Sequence, residues 1–287
     1  MGLAQVATVT PDLRALFAQH GSPPLLGQIA SEYYHGDRSC VSSSALKVML
    51  RSPAHFLAYM SGALRKETPA MALGTAIHTR VLEPDQFALR YAVAPSSDRR
   101  TSEWKTFAAA NVGKTLLTQP EAELLEGVAR SIATHPTAAA LLAGGHKEVS
   151  LIWQDEDTGL WLKARPDCLC IDYDTGICMD LKSTEDARGR EFVRSCVTYD
   201  YDLSAALYLD GLRAVLQRDF DFMFLAAEKS PPYGRALYGA PEEMIERGRR
   251  RYKEALRRLR ACLDTGNWPG YQCEGDYELL EWPRYAP

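Results

Sequence analysis

The hydrophobic positions of the chain follow a helical period at first and a strand period in the middle. Apolar residues recur at helical spacing in SSSALKVMLRSPAHFLAYM, which begins at Ser42, and in PAMALGTAIHTRVLEP, which begins at Pro69. Three serines begin the first stretch and a proline opens the second, and both are common at helix starts. We therefore expect helices there, through the Ala- and Leu-rich residues 101–143, and in a shorter segment over 11–19 before a Gly- and Pro-rich connector.

A change to strand-like runs follows. KEVSLIWQ, LWLKARPDCLCIDY and ICMDLKST are separated by the turn sequences DEDTG and DTG, which predicts a three-stranded antiparallel meander. A helix (YDLSAALYLDGLRAVL), a strand (DFMFLAAEK) and a long basic helix come next. This order predicts an α/β fold with a central mixed sheet flanked by helices. We expect one domain over residues 36–287, preceded by an N-terminal extension or connector over 1–35.

Composition narrows the class of protein. The 287 residues carry a net charge of −4 and 24% charged residues, so any nucleic-acid binding must use a local basic patch. The seven cysteines are scattered without a C-x-x-C pair, which argues against a disulfide framework and against zinc or iron–sulfur sites. No apolar run is long enough to cross a membrane, and the start of the chain lacks a secretion signal. We expect a cytoplasmic protein without a membrane partner.

Charged residues interrupt the last apolar strand of the meander, MDLKST, on one face. Asp180 and Lys182 are two positions apart, so their side chains point the same way in a strand. Across the second turn, Asp167 lies opposite either Lys182 or Asp180, depending on where the turn is centred. The first turn brings Glu148 to the same place. Clustered carboxylates suit Mg²⁺ or Mn²⁺, but spacing alone equally allows a structural ion-pair cluster.

The same residues carry a resemblance to a known family. Asp167 followed by Asp180-Leu181-Lys182 has the form of the PD-(D/E)XK nuclease motif, and Pro166 precedes its first aspartate. D-x-K alone recurs by chance, so this match needs support from the rest of the chain.

Support comes from longer segments. GTAIH, from Gly74 to His78, resembles the G-x-x-x-H motif of the RecB-like branch. From about Tyr33 to the C-terminal LEWPRY, the chain resembles the nuclease domain of exonuclease VIII (RecE) and its phage relatives. The matching segments are YHGDRSCVSSSALKVMLRSPAHF, ETPAMALGTAIHTRVLEPDQF, EVSLIWQDEDTGLWLKARPD, MDLKSTEDA, YDYDLSAALYLDG and EKSPPY.

The resemblance implies a set of site residues. His78, Asp167, Asp180 and the Leu181 backbone carbonyl would ligate Mg²⁺, with Mn²⁺ as a substitute. Lys182 would orient or activate the attacking water, and Glu148 would be a supporting acid. RecB-like nucleases often carry a glutamine one turn before a tyrosine. Here Ser204 replaces it, while Tyr208 is retained as a site neighbour.

The resemblance also implies a function. It predicts a Mg²⁺-dependent exonuclease that digests double-stranded DNA from 5′ ends and leaves 3′ overhangs for a RecT-like annealing partner. The protein would form a homo-oligomeric ring around the duplex. Two alternatives stay open: an endonuclease of the same fold, and a catalytically degenerate module for DNA binding or assembly.

Three further segments contain residues that could bind phosphate groups or DNA. The serines of SSSALK are first a helix cap, but Ser43 and Ser44 with Lys47 and Arg51 could also bind a 5′-phosphate at the helix start. The arginine-rich residues 247–260 are better explained as a solvated helix face than as a DNA track. The GKT near residue 114 lacks the first glycine of a phosphate-binding loop, so we do not expect a nucleotide site there.

Overall fold

The computed structural model describes residues 29, 31–64 and 68–271. The predicted helix over 11–19, its connector and the C-terminal LEWPRY lie outside the described residues. The helices are α1 (Ser31–Gly36), α2 (Ser43–Arg51), α3 (Pro53–Met60), α4 (Pro69–Leu82), α5 (Pro84–Arg90), α6 (Ser102–Ala110), α7 (Gln119–Ala133), α8 (Pro136–Gly144), α9 (Gly189–Thr198), α10 (Tyr201–Leu216) and α11 (Glu242–Thr265).

A five-stranded mixed sheet with the order β3-β6-β7-β8-β9 forms the centre. Only β7 and β8 are parallel; the other neighbours run antiparallel. The strands are β1 (Tyr91–Val93), β2 (Thr115–Leu117), β3 (His146–Lys147), β4 (Leu151–Gln154), β5 (Trp161–Ala164), β6 (Cys168–Cys170), β7 (Gly176–Thr184), β8 (Phe220–Glu228) and β9 (Arg235–Gly239). The predicted α/β class and central mixed sheet are confirmed.

The predicted meander is present, but its first two strands are each divided. Residues 146–154 form β3 and β4, and residues 161–170 form β5 and β6, so that β4 and β5 pair as a separate hairpin. The first division lies at Glu148, whose φ of 52° is in the left-handed region. The second contains Pro166, which has no N–H for a strand ladder. Two acidic residues of the predicted site, Glu148 and Asp167, lie at these divisions.

Helices cover both faces of the sheet, and alternating residues of β7 enter two different hydrophobic cores. Cys178 packs with one core, which includes Leu46, Phe224 and Leu256 and lies under α2, α10 and α11. Met179 packs with the other core beneath α4, α7 and α8. Burial on both faces explains why β7 reads as a nearly continuous apolar run. Asp180 and Lys182 follow Cys178 on the same face of the strand.

Two parts of the chain differ from the sequence prediction. Residues 101–143 are not helical throughout, because β2 lies between α6 and α7 and pairs in parallel with β1. The short helix α5, between α4 and β1, was not predicted. Among the residues described here, no helix has the length and hydropathy needed to cross a membrane.

The two longest helices, α10 and α11, approach each other closely. A Cβ added to Gly248 of α11 would lie 2.0 Å from the backbone oxygen of Asp202 in α10. Only glycine fits at this contact. The contact places the arginines of α11 beside the acids at the start of α10, and this position determines how the basic helix is neutralised.

Candidate active site

A polar cleft of about 700 Å³ opens beside β7, between α2 and α4. Most of the site residues predicted from sequence line it: Ser43, Ser44, Lys47, His78, Glu148, Asp167, Asp180, Lys182 and Tyr208. The fold thus brings together residues that are up to 165 positions apart in the sequence.

Three potential metal ligands converge on one point of the cleft. His78 comes from α4, Glu148 from the break between β3 and β4, and Asp167 from the break between β5 and β6. One donor atom from each lies within 4.8 Å of the other two. Nδ1 of His78 is 3.4 Å from Oδ2 of Asp167. The backbone N–H of Glu148 donates to the carbonyl of Asp167 at 3.3 Å, which fixes the two breaks beside each other.

β7 adds the second aspartate and the lysine. The β6–β7 register pairs Cys168 with Met179, so the next pair outward would be Asp167 with Asp180. Of the two registers that the sequence allowed, this is the one in which the aspartates face each other. The N–H of Leu181 donates to Oδ2 of Asp167 at 2.6 Å.

Burial and charge act differently on the two aspartates. Burial raises the pKa of Asp180, and the neighbouring Asp167 carboxylate raises it further against the opposing effect of Lys182. Burial also opposes ionisation of Asp167, but His78, Lys182 and the Leu181 N–H outweigh it, so the pKa of Asp167 is lowered. Asp167 is thereby the acid best prepared to remain ionised in the cleft.

The pKa values of Glu148 and His78 are both raised above their ordinary values. Burial, and then repulsion from Asp167, raise the pKa of Glu148 to about 7. Burial alone would lower the pKa of His78, but the Asp167 carboxylate beside it raises the pKa above its ordinary value. A cation that binds both side chains must displace these protons.

The donor set fits a hard divalent cation. It consists of carboxylate oxygens and one imidazole nitrogen, which suit Mg²⁺ or Mn²⁺. Oδ2 of Asp180 is buried, and among the described residues its ion-pair partner is the ammonium of Lys182 alone. A buried carboxylate oxygen with so few partners carries a desolvation cost that a bound cation would offset. His78, Glu148, Asp167 and Asp180 are therefore the residues that could hold such an ion.

Two lysines line this site. Lys182 forms an ion pair with Asp180, and although burial opposes its charge, Asp180 and Asp167 raise the pKa of Lys182 above its ordinary value. Lys47 of α2 donates to the backbone oxygen of Tyr199 at 2.9 Å. Burial, and then the charge of Lys182, lower the pKa of Lys47 to about 8. Two like charges held this close favour an anion between them.

The serines at the start of α2 divide between two roles. Ser42 caps the helix and accepts from the N–H of Ala45 at 3.4 Å. Ser43 is buried and lines the cleft together with Tyr208. Ser44 is exposed at the cleft wall. The cap prediction is confirmed, and the phosphate role of these serines stays a prediction.

Two residues singled out from the sequence are not in the cleft wall. Arg51 lies at the far end of α2, where its Nε donates to the hydroxyl of Tyr271. Ser204, at the position where a glutamine is usual in RecB-like nucleases, is buried within α10 one turn before Tyr208. Tyr208 itself lines the cleft and packs against Phe222, with ring centroids 6.4 Å apart.

The same wall of the cleft contains a group of buried charged residues that was not predicted from the sequence. Lys163 donates to Oδ2 of Asp37 at 3.0 Å and to the backbone oxygen of Tyr34 at 2.7 Å. Arg165 stacks over the Tyr34 ring at 4.2 Å and lies 3.9 Å from Oε2 of Glu148. The signal was available, because Lys163 and Arg165 precede Asp167 at spacings of two in the run LWLKARPD.

Most basic side chains of the helix α11 form ion pairs with neighbouring acids. Arg247 and Arg251 pair with Asp202, Arg249 pairs with Asp210, and other bases pair within the helix. This pattern favours the prediction of a structural, solvated face over a DNA track. The GKT segment forms a turn, in which Lys114 donates to the backbone oxygen of Ala88 at 2.7 Å.

Comparison with known proteins identifies the family of the chain. Residues 42–278 match the family described as a PDDEXK-like domain of unknown function (DUF3799), so the chain belongs to this family. The predicted PD-(D/E)XK fold is confirmed. No curated protein matches the chain.

Solved structures add evidence on the fold. A candidate exonuclease from Eubacterium rectale is 15% identical, with a TM-score of 0.61 over 90% of this chain and 96% of that chain. At this identity, the likeness shows the fold alone. An alkaline exonuclease from Laribacter hongkongensis is 14% identical over 63% of this chain and 95% of its own, but its TM-score of 0.28 is too low to support an argument.

Proposed function

We propose that the protein is a Mg²⁺-dependent deoxyribonuclease that digests linear double-stranded DNA from its 5′ ends and leaves 3′ overhangs. The observation that carries the proposal is the convergence of a histidine, three acids and a lysine in one open cleft. A structural ion-pair cluster would neutralise its acids, whereas burial and repulsion from Asp167 raise the pKa of Glu148 to about 7. Clustered carboxyl groups whose charge is not fully neutralised by neighbouring bases are typical of a cation site.

The chemistry follows from the residue types. A divalent cation held by His78, Asp167, Asp180 and the Leu181 carbonyl would supply positive charge to the phosphate and acidify a water molecule. Lys182 adds a fixed positive charge where the phosphate becomes more negative during hydrolysis. Glu148 lies at the edge of this group with a pKa of about 7. Its carboxylate is close enough to His78 and Asp167 to bind the same cation, so it would lose its proton when the metal binds.

Action at a DNA end is supported by the α2 wall of the cleft. Ser44 is exposed at the first turn of the helix, where backbone N–H groups favour an anion. Lys47 adds a full charge at the same wall. A terminal 5′-phosphate bound there would lie beside the acids and Lys182. The ring-shaped homo-oligomer and the RecT-like annealing partner belong to the same proposal, and both rest on the resemblance to exonuclease VIII.

The test compares linear and closed circular duplex DNA. Each substrate is incubated with the protein in Mg²⁺, in Mn²⁺ or in EDTA, with the label at the 5′ end or at the 3′ end of the linear form. We expect early loss of the 5′ label, later loss of the 3′ label, and no change in the circle or in EDTA.

Other outcomes identify the alternatives. Cutting of the closed circle would show an endonuclease of the same fold. DNA binding without cleavage in either metal would show a degenerate module, and both results would overturn the proposal.

A further inference from the structure

Tyr199 and Tyr201 flank the turn between α9 and α10, and their rings stack. The ring centroids are 5.7 Å apart at an interplanar angle of 28°. Asp200 between them has a φ of 53°, a left-handed conformation that costs free energy for a residue other than glycine. Arg251 of α11 holds this residue by an ion pair of 2.6 Å. The surrounding structure thus imposes the strained turn that stacks the two rings.

The stack begins in the core and ends at the surface. Tyr201 lies against Phe224, with centroids 6.1 Å apart and an angle of 30°. Phe224 is buried, whereas Tyr199 is 59% exposed. A large aromatic ring that is held rigidly but left open to solvent offers a face to a flat partner.

The exposed ring lies where two grooves meet. Both tyrosines line the cleft of the acid cluster and also a second groove of about 540 Å³, which runs past Ser183 and Lys229. A strand leaving the acid cluster by this second groove would therefore pass the face of Tyr199.

Two lysines near the stack show what kind of partner the ring would meet. The ammonium groups of Lys47 and Lys182 lie 5.6 and 5.1 Å from the centre of the Tyr201 ring. Lys47 also donates to the backbone oxygen of Tyr199. Two positive charges thus lie close to the aromatic stack, which suits a ligand that combines phosphates with flat rings.

We propose that Tyr199 is a base-stacking residue, which binds the base of the terminal nucleotide of the strand being digested while Lys47 and Lys182 bind the flanking phosphates. The inference rests on the proposed function and deepens it by naming how the DNA end is held. Stacking on one ring tolerates all four bases, so it would secure the end without sequence preference. Tyr201 is the supporting member, because it packs between Tyr199 and the buried Phe224.

The experiment compares variants of the protein on two DNA substrates that differ at the 5′ terminus. Linear duplexes carry at the 5′ terminus either a normal nucleotide or an abasic one, each with a 5′-phosphate. The proteins are wild type, Tyr199→Ala, Tyr199→Phe and Tyr173→Ala. Tyr173 is a 48% exposed tyrosine that lines neither groove, which makes it the matched control. KM for cleavage is measured in Mg²⁺, and Kd for binding is measured in EDTA by fluorescence anisotropy.

On the normal end, we expect Tyr199→Ala to raise Kd and KM by roughly fivefold to a hundredfold, since one base–aromatic stack is worth about that much. On the abasic end, the same variant should differ from wild type by less than about twofold. Tyr199→Phe and Tyr173→Ala should match wild type on both ends.

Equal losses on both ends would mean that Tyr199 supports the fold and not the base. No loss on either end would equally overturn the inference. Failure of the proposed function is distinguishable, because it would appear as absent cleavage of every substrate by wild type, while the binding measurements would still test the stack.

Discussion

Affinity for Mn²⁺ should rise steeply with pH between 6 and 8, because a metal ion must replace protons on Glu148 and His78. Metal ions bind carboxylates and neutral imidazoles, so protonated side chains compete with binding. The pKa of Glu148 is raised to about 7, and that of His78 is raised above its ordinary value. Glu148 therefore loses its proton as pH rises through this window, and loss of the proton from His78 changes affinity in the same direction.

The size of the pH effect on Mn²⁺ affinity follows from the fraction of Glu148 that is ionised. With a pKa of about 7, roughly a tenth is ionised at pH 6 and roughly nine tenths at pH 8. Glu148 alone should thus raise the apparent association constant about tenfold between these pH values. His78 adds to this rise. Asp167 adds little, because its lowered pKa keeps it ionised across the whole range.

Isothermal titration calorimetry with Mn²⁺ at pH 6, 7 and 8 measures this dependence. In Glu148→Gln, we expect weaker binding and a rise that is smaller by about a factor of ten. Asp221→Ala removes an exposed acid from the neighbouring strand β8 and should behave as wild type. Affinity that is flat from pH 6 to 8 in wild type, or an unchanged slope in Glu148→Gln, would refute the placement of Glu148 at the metal site.

Three further predictions test other parts of the cleft. Lys182→Ala should lower kcat by roughly a hundredfold or more with nearly normal Mn²⁺ affinity, since the lysine acts in the chemical step; a collapse of metal affinity in a folded variant would show that it positions the acids instead. Removal of the 5′-phosphate should slow digestion of linear duplex, and Ser44→Ala should reduce the difference between the two ends; equal wild-type rates on both would limit the serines to capping. Asp37→Ala should lower the free energy of unfolding by about 3–5 kcal/mol, because it strands the buried Lys163 charge, whereas Asp157→Ala, which breaks the exposed pair with Lys253, should cost less than about 1 kcal/mol in the same urea titration.

The central fold and the acid cluster could be predicted because their signals are local. Alternation places Asp180 and Lys182 on one face of a strand, and two short turns limit where Glu148 and Asp167 can lie. The sequence could not choose between the two registers of the second turn, since both keep the aspartates on that face. The structure has the register in which Asp167 and Asp180 are opposed.

Other features depend on contacts that no local pattern encodes. The breaks at Glu148 and Pro166 place two acids outside the regular ladders, and periodicity alone describes an unbroken strand. The parallel pair of β1 and β2 joins segments more than twenty residues apart. The role of Arg251 depends on α10 packing beside α11, which the close approach at Gly248 permits. The role of Arg51 depends on Tyr271, which is 220 positions away in the sequence.

The most direct test of the active-site assignment is cleavage of linear duplex by Asp180→Ala beside Asp221→Ala. Both variants lose one acid from adjacent strands, but only Asp180 faces the cleft. Thermal unfolding of each protein verifies the fold before the assay with 5′-labelled DNA in Mg²⁺. The account predicts that Asp180→Ala remains folded and cuts no DNA, while Asp221→Ala cuts as wild type. Cleavage at the wild-type rate by folded Asp180→Ala would contradict it.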